Sequence, residues 1–521
     1  MLSRRSFSKS VFTAPWAAAW AAPWILRGQQ DALQARVKID TERTIGDIDP
    51  KLYGNFIEHL GRCIYGGVFE ENSPLSDADG YRRDVLDAAK NLGVTLLRWP
   101  GGNFSSNYHW RDGIGPRDRR PPRLEMAWGT VESNRFGTHE FLNYAEKLGA
   151  EPYICANLGT GTWEEAQQWV EYCNSAEDTA MTRLRKQNGR ANPWKVTHWG
   201  LGNEMDGPWQ MGHRSADDYG KFALEAAKLM KWTDPNVKLI AAGSSNFGAG
   251  SDWTGWNRTV LEYLKNHADY LSLHMYVGNP QNDFGDFVAS SMELASRLKI
   301  AGGIIDAALS GVSNRKIYVA WDEWNVWYRA RGASQRGRRI LEEHYNLEDA
   351  LVVATFLNAF VNHAHIVKIA NMAQLVNVIA PIFTNENGLY LQTIYYPLQL
   401  FANHTKGKAL ELFVDSPKYS SRRFDGIPYL DVSAANDHGS LVVNVVNRHR
   451  DRPIPTEFEL EDKQFNGGIE AIEVNGPDIK AENNFDAAPV KPVQRSAAAR
   501  GKILRYSFPP HSYTMIRARL V

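Results

Sequence analysis

The sequence predicts a (β/α)8 barrel followed by a C-terminal antiparallel β-sandwich of the jelly-roll kind. Three observations predict it. Apolar strand-like runs alternate with helical stretches across residues 49–396, the rhythm changes to short β-rich segments across 397–521, and the apolar runs end in polar residues. The runs are 53–60, 95–99, 151–157, 197–201, 237–242, 270–275, 317–321 and 366–370. Between them, apolar residues recur with a 3.6-residue period in 81–91, 139–148, 164–173, 216–231, 256–266, 286–308 and 347–362. An open doubly wound sheet shares that alternation, but no G-x-G-x-x-G opens a helix after the first run.

In the second region, the segments 440–446, 455–461, 469–474 and 503–508 are short and separated by Gly, Pro, Asn and Asp, the marks of antiparallel strands joined by turns. A strand near Val37, within 31–48, precedes the barrel, has no partner in it, and is expected to join the sandwich.

With 521 residues the chain exceeds what one core holds, in keeping with a large domain and a smaller one. Lysine plus arginine (59) equals aspartate plus glutamate (59), so no charge excess draws the chain to nucleic acid or to an anionic membrane. Seventeen tryptophans and 21 tyrosines supply flat apolar faces on which a sugar ring stacks, although a large core absorbs aromatics too.

Residues 1–30 begin with Ser3-Arg4-Arg5-Ser6-Phe7-Ser8-Lys9 and continue into an apolar, alanine-rich stretch. That stretch is too short for a secure membrane span. Its order is that of an export signal, and S-R-R-x-F-x-K resembles a twin-arginine signal, with an uncleaved anchor as the other reading. Such signals accompany export of folded chains. Cys63, Cys155 and Cys173 fit a chain that folds in a reducing cytosol without disulfides. The expectation is a periplasmic or secreted protein, with no membrane span in its mature form and three free thiols.

In a (β/α)8 barrel the reacting groups sit at the C-terminal ends of the strands. The first run ends at Glu58-His59, the second at Arg98 through Asn103, and the third at Asn157. The fourth ends at Gly202-Asn203-Glu204, the sixth at His274-Met275-Tyr276, the seventh at Asp322-Glu323-Trp324-Asn325, and the eighth at Asn371 through Gln374. Polar groups gathered on one rim make a site. Glycosidic cleavage needs one acid for the leaving oxygen and one carboxylate at the anomeric carbon. Glu204 and Glu323, closing strands four and seven, are the natural pair.

Strand parity places Val319, Trp321 and Glu323 on one face and turns Asp322 to the other, as a packing carboxylate. Gly202-Asn203 lets the backbone approach closely and aims Glu204 inward. Glu58 suits hydrogen bonds to sugar hydroxyls. His274 is weighed as a metal ligand, but no His/Asp/Glu cluster has ligand spacing around it, and hydrogen bonds are the expected use. No G-x-S-x-G elbow and no P-loop string is present. Trp324 and Trp327 flank Glu323 as walls of a sugar pocket or as core.

Four strings, in this order, resemble glycoside hydrolase family 51. They are G-N-F-I-E-H-L-G-R at 54–62, L-R-W-P-G-G-N at 97–103, W-G-L-G-N-E-M-D-G-P-W at 199–209 and D-E-W-N-V-W-Y at 322–328. The resemblance covers the chain from residue 35 to its end. It implies a retaining, exo-acting α-L-arabinofuranosidase (EC 3.2.1.55), with Glu204 as acid/base, preceded by Asn203, and Glu323 as nucleophile. It further implies that Glu58, Asn103, Tyr276 and Gln374 hold the furanose, that Arg98 favours the ionised nucleophile, and that Trp327 walls the pocket. Neither a metal nor an organic cofactor is implied.

The implied substrate is an arabinofuranose-containing oligosaccharide or hemicellulose side chain. Homo-oligomers, hexamers among them, occur in the family. An endo-β-glucanase or β-xylosidase is the alternative within it: a closed pocket favours the exo enzyme and an open cleft the endo enzyme. A dead carbohydrate-binding barrel is opposed by the two intact carboxylates. The export signal departs from the pattern, because family members are mostly cytosolic.

Overall fold

The computed structural model describes residues 33–521 apart from 249, 313, 333–336 and 338, so the expected export signal at 1–30 lies outside the described residues. Gly54–Phe56, Leu96–Trp99, Glu151–Ala156, His198–Leu201, Lys238–Ala242, Tyr270–Val277, Tyr318–Val326 and Val367–Ala373 form a closed parallel barrel, the eighth strand pairing back onto the first. The period-2 alternation of a strand divides their side chains between two faces. Leu96, Tyr153, Ile240, Tyr270, Ala320 and Ile369 meet inside the barrel. Trp99 faces outward and stacks at 4.9 Å on Phe141, and Trp321 faces outward toward Phe360 at 6.5 Å.

The helices start and stop where their end chemistry allows. Thr162 caps Trp163–Asn174 by accepting from the Glu165 amide, and Ser215 caps Ala216–Thr233 by accepting from the Asp218 amide. Arg83–Leu92 and Thr138–Leu148 end at Gly93 and Gly149, whose φ of 87° and 78° only glycine adopts at little cost. The helix Leu347–Val361 is mostly apolar and buried along its whole length, because it lies between the barrel and the sheet, where Asn358 donates to Asp431 at 2.6 Å.

The C-terminal region is a ten-stranded sheet whose central members are Leu430–Asp437, Lys408–Asp415, Ala35–Asp47 and Ile454–Leu460. Ala35–Asp47 pairs antiparallel with Lys408–Asp415 on one side. On the other it pairs parallel with Ile454–Leu460, so the sheet is not purely antiparallel. Register shifts between Ile39 and Gly46 bend this long strand. Ile39, Phe458 and Leu504 then face Leu441, Val443 and Ile516 across an apolar interior.

Several elements differ from the sequence reading. The seventh and eighth strands run on to Val326 and Ala373, past the apolar runs 317–321 and 366–370, so that most of the polar residues expected to close them lie within the strands. The helix expected over 286–308 is two, Phe284–Val288 and Ser291–Leu309. Tyr395–His404 is a helix that runs across position 397, where the sheet was expected to begin; it buries Tyr395, Leu398 and Phe401, Tyr395 donating to the Ala88 carbonyl on the barrel side and Phe401 stacking at 5.5 Å on Tyr513 of the sheet. Cys63, Cys155 and Cys173 are free and buried, and burial pushes the Cys63 thiol up to about 12. Among the described residues, no helix is long and apolar enough to cross a membrane.

Candidate active site

The two carboxylates reach the barrel mouth by different local means. Glu323 lies within the seventh strand, at a bulge: Ala320 pairs with Ser272 and Glu323 with His274, three steps on one strand against two on its neighbour. The bulge breaks the expected parity. Trp321 and Trp324 both face the helices, Trp324 stacking on Phe356 at 5.8 Å. Asp322 and Glu323 both face inward. Asp322 is therefore not turned away from the site but buried beneath it, accepting hydrogen bonds from Tyr153 and Ser272, each at 2.6 Å.

Glu204 sits just past the fourth strand, where Gly202 has φ 85° and Glu204 itself φ 46°. A left-handed glutamate is costly by about 1 kcal/mol. The turn is held by Gly207 N–H to the Glu204 carbonyl at 2.8 Å and Arg214 N–H to the Met205 carbonyl at 3.1 Å. Asp206 braces the neighbouring loop, accepting from the Ser245 and Asn246 amides at 2.9 Å.

Around Glu323, Arg98 donates to Oε2 at 2.8 Å and Tyr276 OH to Oε1 at 2.8 Å. Arg98 also donates to Asn203 Oδ1 at 2.5 Å, and its guanidinium lies 4.6 Å from the Phe56 ring. Around Glu204, Trp209 Nε1 donates to Oε2 at 2.5 Å and His274 Nδ1 lies 2.9 Å from Oε1. Glu58 accepts from the Phe104 amide and Trp128 Nε1, each at 3.0 Å, and from Gln374 at 3.1 Å. Gly102, with φ 71°, packs so tightly on Glu58 that a Cβ there would collide with its carboxylate.

A cavity of about 550 Å³ opens over these groups, lined by Glu58, Asn103, Glu204, Tyr276, Glu323, Trp327 and Gln374 together with Trp128, Trp209, Phe247, His274 and Arg331. Arg98 and Asn203 lie behind its wall, both 1% exposed. Tyr276 and Trp327 meet edge to face at 5.3 Å. The fold thus brings all nine sequence-selected residues to one place.

The electrostatics divide the carboxyl groups. Burial raises Glu204, and the charge of Glu323 adds to it against hydrogen bonds from His274 and Trp209. Burial and Glu323 push Glu58 well up. Burial opposes ionisation of Asp322, but hydrogen bonds from His274 and Ser272 and the charge of Arg98 hold it down at about 2. Burial opposes the charged form of His274, yet Glu323, Asp322 and Glu204 together raise it to about 10. His274 is thus an imidazolium wedged between carboxylates.

Sequence spacing gave no cluster around His274, and the fold overturns that. Glu204, His274 and Glu323 offer ligand atoms within 4.8 Å of one another. The protonated ring already supplies a cation there, donating to the groups a metal would need. Activity is expected to be unchanged after prolonged dialysis against a chelator. A loss restored by zinc or another divalent ion would make this trio a metal centre.

Comparison with known proteins bears on this geometry. A family 51 α-L-arabinofuranosidase from Bifidobacterium longum superposes with a TM-score of 0.89 at 33% identity, over 94% of this chain and 100% of that one. The chain belongs to glycoside hydrolase family 51. The models for the α-L-arabinofuranosidase 1 domain and the α-L-arabinofuranosidase C-terminal domain match residues 88–290 and 322–512. The intracellular exo-α-(1→5)-L-arabinofuranosidase 1 of Bacillus subtilis is 41% identical over 93% of this chain and 99% of its own. Its counterpart of Halalkalibacterium halodurans, also named intracellular, is 39% identical over 87% of this chain and 92% of its own. These relatives overturn the expected periplasmic or secreted location and the twin-arginine signal behind it: a basic, alanine-rich start is too common a composition to outweigh relatives of nearly full-length likeness that are named intracellular.

The sequence reading missed Trp128, Phe247 and Arg331 on the cavity wall, and gave Trp209 no role. Trp209 stands inside the quoted 199–209 string, so a signal for it was in view. Trp128 and Phe247 come from loops with no motif.

Proposed function

We propose that this family 51 enzyme is a retaining, exo-acting α-L-arabinofuranosidase, with Glu323 as nucleophile and Glu204 as acid/base. One observation carries the reading: two inward carboxylates with oxygens within 4.8 Å share one cavity, one held by Arg98 and Tyr276 and the other raised by burial. Retaining enzymes hold their carboxyl groups about 5–5.5 Å apart, and inverting ones roughly 6.5–9.5 Å, to admit a water.

Glu323 attacks the anomeric carbon of a terminal arabinofuranosyl residue while Glu204 gives its proton to the leaving oxygen. The glycosyl–enzyme ester removes the negative charge of Glu323, and with it part of what raised Glu204. Glu204 then takes a proton from water, which attacks the same carbon and frees Glu323 with retained configuration. Glu58, Asn103 and Gln374 hold the sugar hydroxyls, and Trp327 with Tyr276 walls the ring. Cleavage needs Glu204 protonated, so kcat/KM falls as pH rises through its raised pKa.

The walled cavity and the exo-acting names of the relatives favour release of single terminal residues over endo-β-glucanase or β-xylosidase action. Purified enzyme is expected to turn over an aryl α-L-arabinofuranoside at least about a hundredfold faster than the matching β-glucoside or β-xyloside, a margin of roughly 2.7 kcal/mol. Equal rates on the β-xyloside would displace this reading. Homo-oligomeric assembly belongs to the same reading and is checked by light scattering.

A further inference from the structure

We propose that a second saccharide-binding groove adjoins the pocket mouth and holds the part of an arabinose-bearing chain that extends beyond the bond being cut. The inference rests on the arabinofuranosidase reading above. The groove, of about 570 Å³, is lined by Trp163, His213, Arg214, Asp218, Lys221 and Phe222. Trp163 opens the helix after the third barrel strand and stands 42% exposed. Its ring lies 5.6 Å from Phe222, on the helix after the fourth strand, at an angle of 49°. The C-terminal rim of the barrel therefore presents an indole to water beside polar groups. That combination suits a sugar, whose C–H faces stack on the ring while its hydroxyls reach the rim.

Arg214 supplies a second observation. Its guanidinium covers the Phe222 ring at 4.3 Å, and its Nε is buried with no hydrogen-bond partner among the described residues. A saccharide hydroxyl entering the groove would give this donor the partner it lacks.

One short turn of chain separates the groove from the pocket. Trp209, which donates to Glu204 and is 49% exposed, lines the pocket, while His213 and Arg214 line the groove. Four residues of chain span at most about 14 Å. The turn is shorter still, because the His213 amide donates to Gln210 at 3.1 Å and Gly212 packs directly on Gly159. Glu204 protonates the leaving oxygen, so Trp209 marks the side on which the rest of the substrate lies. From that side, the chain passes directly to His213 and Arg214 on the groove wall.

The test compares wild type with Trp163→Ala and Trp163→Tyr on an aryl α-L-arabinofuranoside and on linear α-1,5-arabinan. Trp163 does not line the pocket, so aryl turnover is expected to stay within twofold in both variants. For Trp163→Ala the KM on arabinan rises about tenfold, roughly 1.4 kcal/mol, with kcat unchanged, and Trp163→Tyr restores most of it. Retardation of the protein in arabinan-containing native gels falls in parallel. An arabinan KM equal to wild type in Trp163→Ala overturns the groove, as does a change in sedimentation with KM unmoved, which would make this face a contact between copies. Failure of wild type on the aryl arabinofuranoside overturns the underlying activity instead, so the two failures are distinguishable.

Discussion

In Glu323→Ala, turnover of every arabinofuranoside is expected to fall by roughly 10⁴-fold or more, the scale on which loss of a covalent nucleophile is felt. The variant leaves a hole beside Arg98, whose guanidinium in the wild type donates to Glu323 at 2.8 Å. Added azide fills that hole as a small anion, attacks the anomeric carbon and gives an arabinosyl azide of inverted configuration.

Glu204→Ala behaves differently, because the nucleophile and its partners Arg98 and Tyr276 survive. An aryl substrate with a good leaving group still forms the ester, and its hydrolysis then stalls for want of a base. A burst followed by slow turnover is expected, the steady rate lower by about 10²–10⁴-fold, the ordinary contribution of a positioned acid/base. Azide then yields a product of retained configuration. Rapid-quench kinetics and NMR of the azide adducts decide. A burst in Glu323→Ala, or azide products of the opposite stereochemistry, would exchange or dissolve the two roles.

Much of this site was legible because (β/α)8 barrels place chemistry where apolar runs end, and the runs are easy to see. Glu58, Arg98, Glu204 and Gln374 all follow or close a run, and all lie at the barrel mouth. Parity was the weak step. It presumes an unbroken two-residue period, and the bulge between Ala320 and Glu323 is set by pairing with Tyr270–Val277, a partner that no local pattern reveals. Glu323 was correctly aimed inward for a wrong reason, and Asp322 was misplaced for the same one. His274 shows the converse. Its carboxylate neighbours come from the loop after the fourth strand and from the seventh strand, so no spacing along the chain could gather them. In the β-region, turn residues marked the ends of Ile503–Phe508, whereas the parallel pairing of Ala35–Asp47 with Ile454–Leu460 joins segments more than 400 residues apart and left no trace in the pattern.

Asp322, although 0% exposed and absent from the cavity wall, is expected to be as costly to remove as a residue that touches substrate. Its carboxylate neutralises two buried cations: Arg98 Nε lies 3.9 Å from it, and His274 Nε2 3.4 Å. Stripping one partner from a buried ion pair costs about 3–5 kcal/mol, because the survivors stay dehydrated and unpaired. Asp322→Ala is therefore expected to melt well below wild type and to lose at least about a hundredfold in kcat/KM as Arg98 and His274 shift from the two glutamates. Asp322→Asn keeps hydrogen-bonding atoms for Tyr153 and Ser272 but not the charge, so it recovers part of the stability and less of the activity.

The pH dependence follows from the two shifts. His274 rises from 6.5 to about 10 on folding, so its contribution is complete below 6.5 and is lost as pH climbs toward 10. Asp322 falls from 3.8 to about 2, so its contribution is complete above about 4 and is lost as pH drops toward 2. Melting temperature is thus expected to peak between about 4 and 6.5 and to decline on the alkaline side, where the raised carboxyls of Glu58 and Glu204 add to the loss. In His274→Gln that alkaline decline flattens while the acid limb remains. An unchanged alkaline slope in His274→Gln would mean that the ring is neutral in the fold, and that Glu204 and Glu323 are balanced by Arg98 alone.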